Sequence, residues 1–117
     1  MKRLKTLQAD IEAFARERDW GQFHTPKNLA MGIAVEAAEV LELFHWLTPE
    51  ESRRLPRRER AKLADELADV YTYLLKLAAA YDIDLIEAAR RKMRKNRRKY
   101  PVSKSRGLAK KYSELHR

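Results

Sequence analysis

The chain of 117 residues has no cysteine, three glycines, four prolines and no apolar run near the length of a membrane span. Without cysteine there is neither a disulfide framework nor a thiolate metal site, so any bound metal must be held by oxygen or imidazole ligands. That favours a hard cation. So little glycine and proline, with 37% of residues charged, argues for long helices over a turn-rich β architecture. A membrane-spanning helix needs about 20 consecutive apolar residues, and the N-terminal MKRLKTLQADIEAF lacks the apolar core and small-residue cleavage site of a signal peptide. The expectation is one soluble, intracellular, cytoplasmic domain with no membrane partner.

What the chain has in excess is basic charge, a formal +9, unevenly spread. Residues 85–117 hold 13 of the 26 lysines and arginines against only Glu87 and Glu114, whereas residues 36–69 hold 9 of the 17 acids. A basic C-terminal third beside an acidic middle suits a small polyanion bound through a metal as well as it suits a nucleic acid.

Leu4, Leu7, Ile11 and Phe14 recur at helical spacing, predicting an amphipathic first helix that fades near Asp19-Trp20-Gly21. WGQFHTPKN is then a connector, and Thr25-Pro26 is an N-cap followed by proline at the first helical position, opening a second helix expected to run to Trp46. LTPEE repeats that signal, with Thr48 and Glu51 forming a capping box. A third helix is predicted over 57–81, with Leu63, Leu67, Val70, Leu74 and Leu77 on one stripe. Asp84 and Glu87 make another box and start a fourth helix that ends before Pro101, since the residue preceding proline is pushed out of the helical region. Residues 102–117 read as a basic, weakly periodic tail. The fold class is all-α, an antiparallel bundle of four main helices within residues 1–101.

The second and third helices share an oddity. Glu36 and Glu39 are three apart among alanines and valines, and Glu66 and Asp69 are three apart among Leu67, Ala68 and Val70. Residues at that spacing project side by side, roughly 5–6 Å apart at Cβ, so like charges repel unless a cation lies between them. If the helices pack antiparallel, the two pairs bring four carboxylates around one small volume. Each uncompensated buried charge costs several kcal/mol. Mg2+, bound by oxygens and usually keeping water and substrate phosphate in its shell, is the natural guest. A lone E-x-x-E is more often a solvated face; two on consecutive long helices with little basic compensation favour the metal.

EAAE, 26 intervening residues and ELAD resemble the E-x-x-E…E-x-x-D signature of the MazG-like superfamily of all-α nucleoside triphosphate pyrophosphatases, which includes dimeric dUTPases. RERDWGQFHTPKNL, ELFHW, DELADVYTYLL and KMRKNRRKYP resemble the dCTP pyrophosphatase branch in order, over about residues 10–101. The resemblance implies hydrolysis of a nucleoside triphosphate, dCTP or a modified pyrimidine deoxynucleotide, between the α and β phosphates. It also implies a homo-oligomer, a dimer of dimers with its site near a subunit interface. Mg2+ on Glu36, Glu39, Glu66 and Asp69 suits that chemistry, with Glu36 or Glu39 as the base that takes a proton from water.

A base pocket is also needed. Trp20 and His24 in the connector, Trp46 at the second helix's end and Tyr73 one turn past Asp69 are aromatic candidates. Stacking a nucleobase on such a ring gains ~1–3 kcal/mol. In the dCTP pyrophosphatase branch the equivalents of Trp20, Gly21, Gln22, Phe23, His24, Trp46 and Tyr73 line the substrate site. Taken singly, aromatics at helix ends more often pack a core. Lys92, Asn96, Arg97 and Tyr100 share one face of the fourth helix, and the matched segment assigns Lys92 and Asn96 to the triphosphate. His45 and His116 take no role. One departure stands out: Ile11 occupies a position where relatives present a histidine to the base, which leaves cytosine selectivity open. The rival reading is a basic helical module binding nucleic acid through residues 90–111; it leaves both acid pairs unexplained, so no nucleic-acid partner is expected.

Overall fold

The computed structural model describes residues 2–115, and every regular element among them is helical. Helix α1 spans Lys2–Glu17, α2 Pro26–Glu42, α3 Pro49–Ser52, α4 Arg57–Ala80, α5 Leu85–Lys99, α6 Val102–Ser105 and α7 Tyr112–Leu115, with one 3-10 turn at Gly21–Phe23. His116 lies outside the described residues. None of these helices is long and apolar enough to cross a membrane.

Local chemistry sets the boundaries. Helix α1 ends in a Schellman motif: the N–H of Trp20 donates to the Ala15 carbonyl at 2.9 Å and that of Asp19 to the Arg16 carbonyl at 3.1 Å. The left-handed residue this requires is Asp19, at φ 53°, and not Gly21. Thr25 Oγ1 accepts from the Asn28 N–H, and Pro26 opens α2 as expected. The capping box of α3 is present, with Thr48 and Glu51 satisfying each other's backbone N–H. Asp84 caps α5 through the N–H groups of Ile86 and Glu87.

Helix α2 is shorter than expected, ending at Glu42 and not Trp46. The Leu43 and Phe44 N–H groups donate three residues back, to Val40 and Leu41, so the last turn tightens and the chain leaves the helix. Further on, Thr48 precedes a proline and is extended at ψ 160°, so no helix could continue through it. Residues 102–115 carry two four-residue helices where no regular element was expected, separated by Gly107 at φ 76°. Helices that short carry no readable apolar stripe.

By its internal packing the chain forms two units, Met1–Asp82 and Ile83–Arg117. In the first, α2 and α4 are the principal packed pair, and they run antiparallel. Gly32 lies against Tyr73, Glu36 is near Asp69, and Glu39 meets Glu66, so positions ascend on one helix as they descend on the other. The buried apolar residues among those described are Ala15, Leu29, Leu75 and Ala78. A buried leucine contributes about 1.5–3 kcal/mol, so two leucines and two alanines make a thin core. Met31, Val35, Leu67 and Tyr71 on the same two helices remain exposed. In the second unit, α5 carries Arg97, Arg98 and Lys99 in its last turn, where cations complement the helix dipole.

Candidate active site

The antiparallel register of α2 and α4 converts two local spacings into one cluster. Glu36, Glu39 and Glu66 each place a carboxylate oxygen within 4.8 Å of the other two. All three side chains are half-buried, and Oε2 of Glu36 and Oε2 of Glu66 are shut off from solvent with no hydrogen-bond partner. A carboxylate carries no donor, so such oxygens are satisfied only by a shared proton or by a cation. The titration behaviour shows the strain. Proton sharing with Glu39, then burial, then the charges of Glu39 and Glu36 push Glu66 up to about 7. Burial, followed by Glu39 and Asp69, raises Glu36. Oxygen-only donors, orphaned and convergent, fit a hard divalent cation.

Asp69 is not one of the three convergent groups. It stands one turn further along α4, close enough for its charge to act on Glu36, and it lines an adjoining cavity of about 370 Å³. The same cavity is lined by Trp20, His24 and Tyr73, so three of the aromatic candidates do come together, with Ile11 on the wall contributed by α1. Trp20 meets Phe14 edge to face at 5.6 Å and His24 at 6.5 Å. Tyr73 owes its position to Gly32: a Cβ built there would stand 2.9 Å from the ring's Cε1, closer than any real side chain tolerates.

Other predicted residues lie elsewhere. Gln22 donates to the backbone and carboxylate oxygens of Asp19, bracing the turn that carries Trp20. Gly21 borders a second cavity, and Phe23 is exposed, with its carbonyl accepting from Asn28. Trp46 is 88% exposed, its ring contact being His45 at 4.6 Å. Lys92 and Asn96 belong to α5 in the second unit, Lys92 exposed and Asn96 half-buried.

Four cavity residues escaped the sequence reading: Asp10, Phe14, Thr72 and Lys76. A signal existed, since Asp69, Thr72, Tyr73 and Lys76 follow the 3-4 spacing of one helical face. Lys76 Nζ lies 3.3 Å from His24 Nδ1 across 52 residues of chain. Burial, and then the Lys76 charge, hold His24 below its ordinary value, while burial lowers Lys76 against the opposing pull of Glu12.

The chain belongs to the MazG-like family, whose model matches residues 31–115. It is 48% identical over 106 residues to dCTP pyrophosphatase 1 of Mus musculus, covering 89% of this chain and 62% of that protein. It is 47% identical over 104 residues to dCTP pyrophosphatase 1 of Homo sapiens, covering 87% of this chain and 61% of that protein. The chain thus spans about three fifths of the length of these curated relatives. A pyrophosphatase structure from Archaeoglobus fulgidus superimposes with a TM-score of 0.81 at 42% identity, covering 85% of this chain and 93% of that one.

Proposed function

We propose that the chain is a Mg2+-dependent nucleoside triphosphate pyrophosphohydrolase that takes dCTP, or a modified pyrimidine deoxynucleotide, to the monophosphate and pyrophosphate. The observation that carries this reading is the convergence of three half-buried glutamates, two with orphaned oxygens, beside a cavity walled by Trp20 and Tyr73. The relatives named dCTP pyrophosphatase 1 and the pyrophosphatase structure support the reaction class.

Glu36, Glu39 and Glu66, joined by Asp69, would hold the cation, which when bound supplies polarisation of phosphoryl oxygens and neutralises charge on the leaving pyrophosphate. Glu36 or Glu39 receives the proton of the attacking water. Trp20 and Tyr73 offer faces on which a flat base stacks, and the His24 turn closes that pocket. The assignment of Lys92 and Asn96 to the outer phosphates rests on their sequence motif, as does a base contact for Trp46. The exposed Met31, Val35, Leu67 and Tyr71, above so thin a core, support a homo-oligomer, with a dimer of dimers the arrangement that the family resemblance implies. A cytoplasmic setting, where nucleotide pools need clearing, completes the proposal.

The test is incubation with Mg2+ and a panel of nucleoside triphosphates, the products being separated by chromatography. The expected products are a nucleoside monophosphate and pyrophosphate. Orthophosphate as the first product would overturn the reading.

A further inference from the structure

Ile11 offers the base no hydrogen-bonding atom, which left cytosine selectivity open. The structure brings two charged groups, Asp10 and Lys76, to the same cavity. Lys76 sits half-buried in the cavity wall and, among the described residues, forms no ion pair; its close polar partner is His24 Nδ1 at 3.3 Å. An ammonium has three donors and no acceptor. Lys76 therefore donates to Nδ1, the neutral His24 ring carries its proton on Nε2, and two ammonium hydrogens stay available. Asp10, from α1, lines the same cavity with a group that when ionised only accepts.

With Asp69 assigned to the cation, Lys76 as donor and Asp10 as acceptor, set around about 370 Å³ with aromatic walls, complement a flat heterocycle that carries both a carbonyl oxygen and an exocyclic amine. We infer that Asp10 and Lys76 are the specificity-determining residues of this site, Asp10 accepting from the amino group of the base and Lys76 donating to its keto oxygen. This rests on the nucleotide reading proposed above. It narrows the substrate class to bases that carry both an amine and a carbonyl, and the pyrimidine reading selects cytosine over guanine among them. Uracil and thymine offer Asp10 no amine, and adenine offers Lys76 no carbonyl. Lys76 is half-buried and Asp10 exposed, and a charged group facing the wrong base edge still loses a charge-assisted hydrogen bond, which rings and Ile11 cannot offer.

The experiment compares kcat/KM for dCTP, dUTP, dTTP and dATP in the unaltered protein, Asp10→Asn and Lys76→Met. Asparagine can donate to a 4-keto oxygen where aspartate cannot, so Asp10→Asn is expected to lower the dCTP to dUTP ratio by at least ~10-fold. Lys76→Met is expected to lower dCTP relative to dATP by at least ~10-fold, since adenine has no carbonyl to lose. Affinities for slowly hydrolysed analogues of dCTP and dUTP, read from tryptophan emission, should shift in the same ratio even if turnover is impaired. Equal proportional losses on all four nucleotides, or unchanged ratios, would overturn this inference alone. Hydrolysis of none of the four, nor of 5-methyl-dCTP, by the unaltered protein would overturn the nucleotide reading and this inference with it.

Discussion

Gly32 and Tyr73 are in contact across the α2–α4 interface so closely that a single methyl on Gly32 would stand 2.9–3.1 Å from three atoms of the ring. The glycine is mid-helix, where alanine would gain about 0.5–1 kcal/mol. Its presence is explained by the ring above it, which lines the cavity one turn from Asp69.

Replacing Gly32 by alanine therefore sets two terms against each other, helix propensity gained and about 1–3 kcal/mol of overpacking. Because Tyr73 yields by turning, the expected result is a melting temperature shifted by only a few degrees and a KM for dCTP raised ~5-fold, with kcat little changed. In a Tyr73→Leu background the added methyl should leave KM where it was. Steady-state kinetics on the four proteins check this; an unchanged KM in Gly32→Ala would show that the ring's placement does not matter to the substrate.

The pH dependence of stability follows from Glu66. Its folded value of about 7 exceeds the ordinary 4.5. Between those values the folded protein keeps a proton that the unfolded chain has released, so the stabilisation is complete below 4.5 and is lost as pH rises toward 7. Metal-free protein should thus show a melting temperature that falls from pH 5 to pH 7.5 more steeply than that of Glu66→Gln, and Glu66→Gln should melt higher at pH 7.5. A lower melting temperature for both Glu36→Gln and Glu66→Gln without metal would mark them as structural partners.

Removing a cation ligand should cost chemistry far more than packing. Glu39→Gln and Asp69→Asn are each expected to lower turnover with Mg2+ by at least ~100-fold while far-UV circular dichroism stays unchanged. Full activity in either variant would remove that residue from the site.

The exposed apolar face of the helix pair predicts self-association. Light scattering should give a mass that is a multiple of the 13.8 kDa chain, and Val35→Glu with Leu67→Glu should reduce it toward one chain and lower the melting temperature. A monomeric unaltered protein would contradict the oligomer.

How much of this was legible beforehand can be argued residue by residue. The glutamate cluster was visible because a three-residue spacing among alanines is anomalous in a single helix, and antiparallel packing of two such helices needs nothing from elsewhere. The caps at Thr25 and Thr48 were visible because they are local. The end of α2 was not, since the apolar sequence through Phe44 and Trp46 continues a helical pattern that the tightened turn at Leu43 and Phe44 interrupts. Lys76 was legible as a member of the Asp69 face but not as the partner of His24, which tertiary packing alone brings to it. The three-way meeting of Glu36, Glu39 and Glu66, with Asp69 turned to the cavity, depends on side-chain placement that spacing does not specify.

The central claim is that Glu36, Glu39 and Glu66 form a divalent-cation site, and titration with Mn2+ followed by electron paramagnetic resonance tests it most directly. The unaltered protein should bind the ion, and Glu39→Gln and Glu66→Gln should each weaken binding ~10–100-fold. Binding of equal strength in the unaltered protein and both variants would contradict the account.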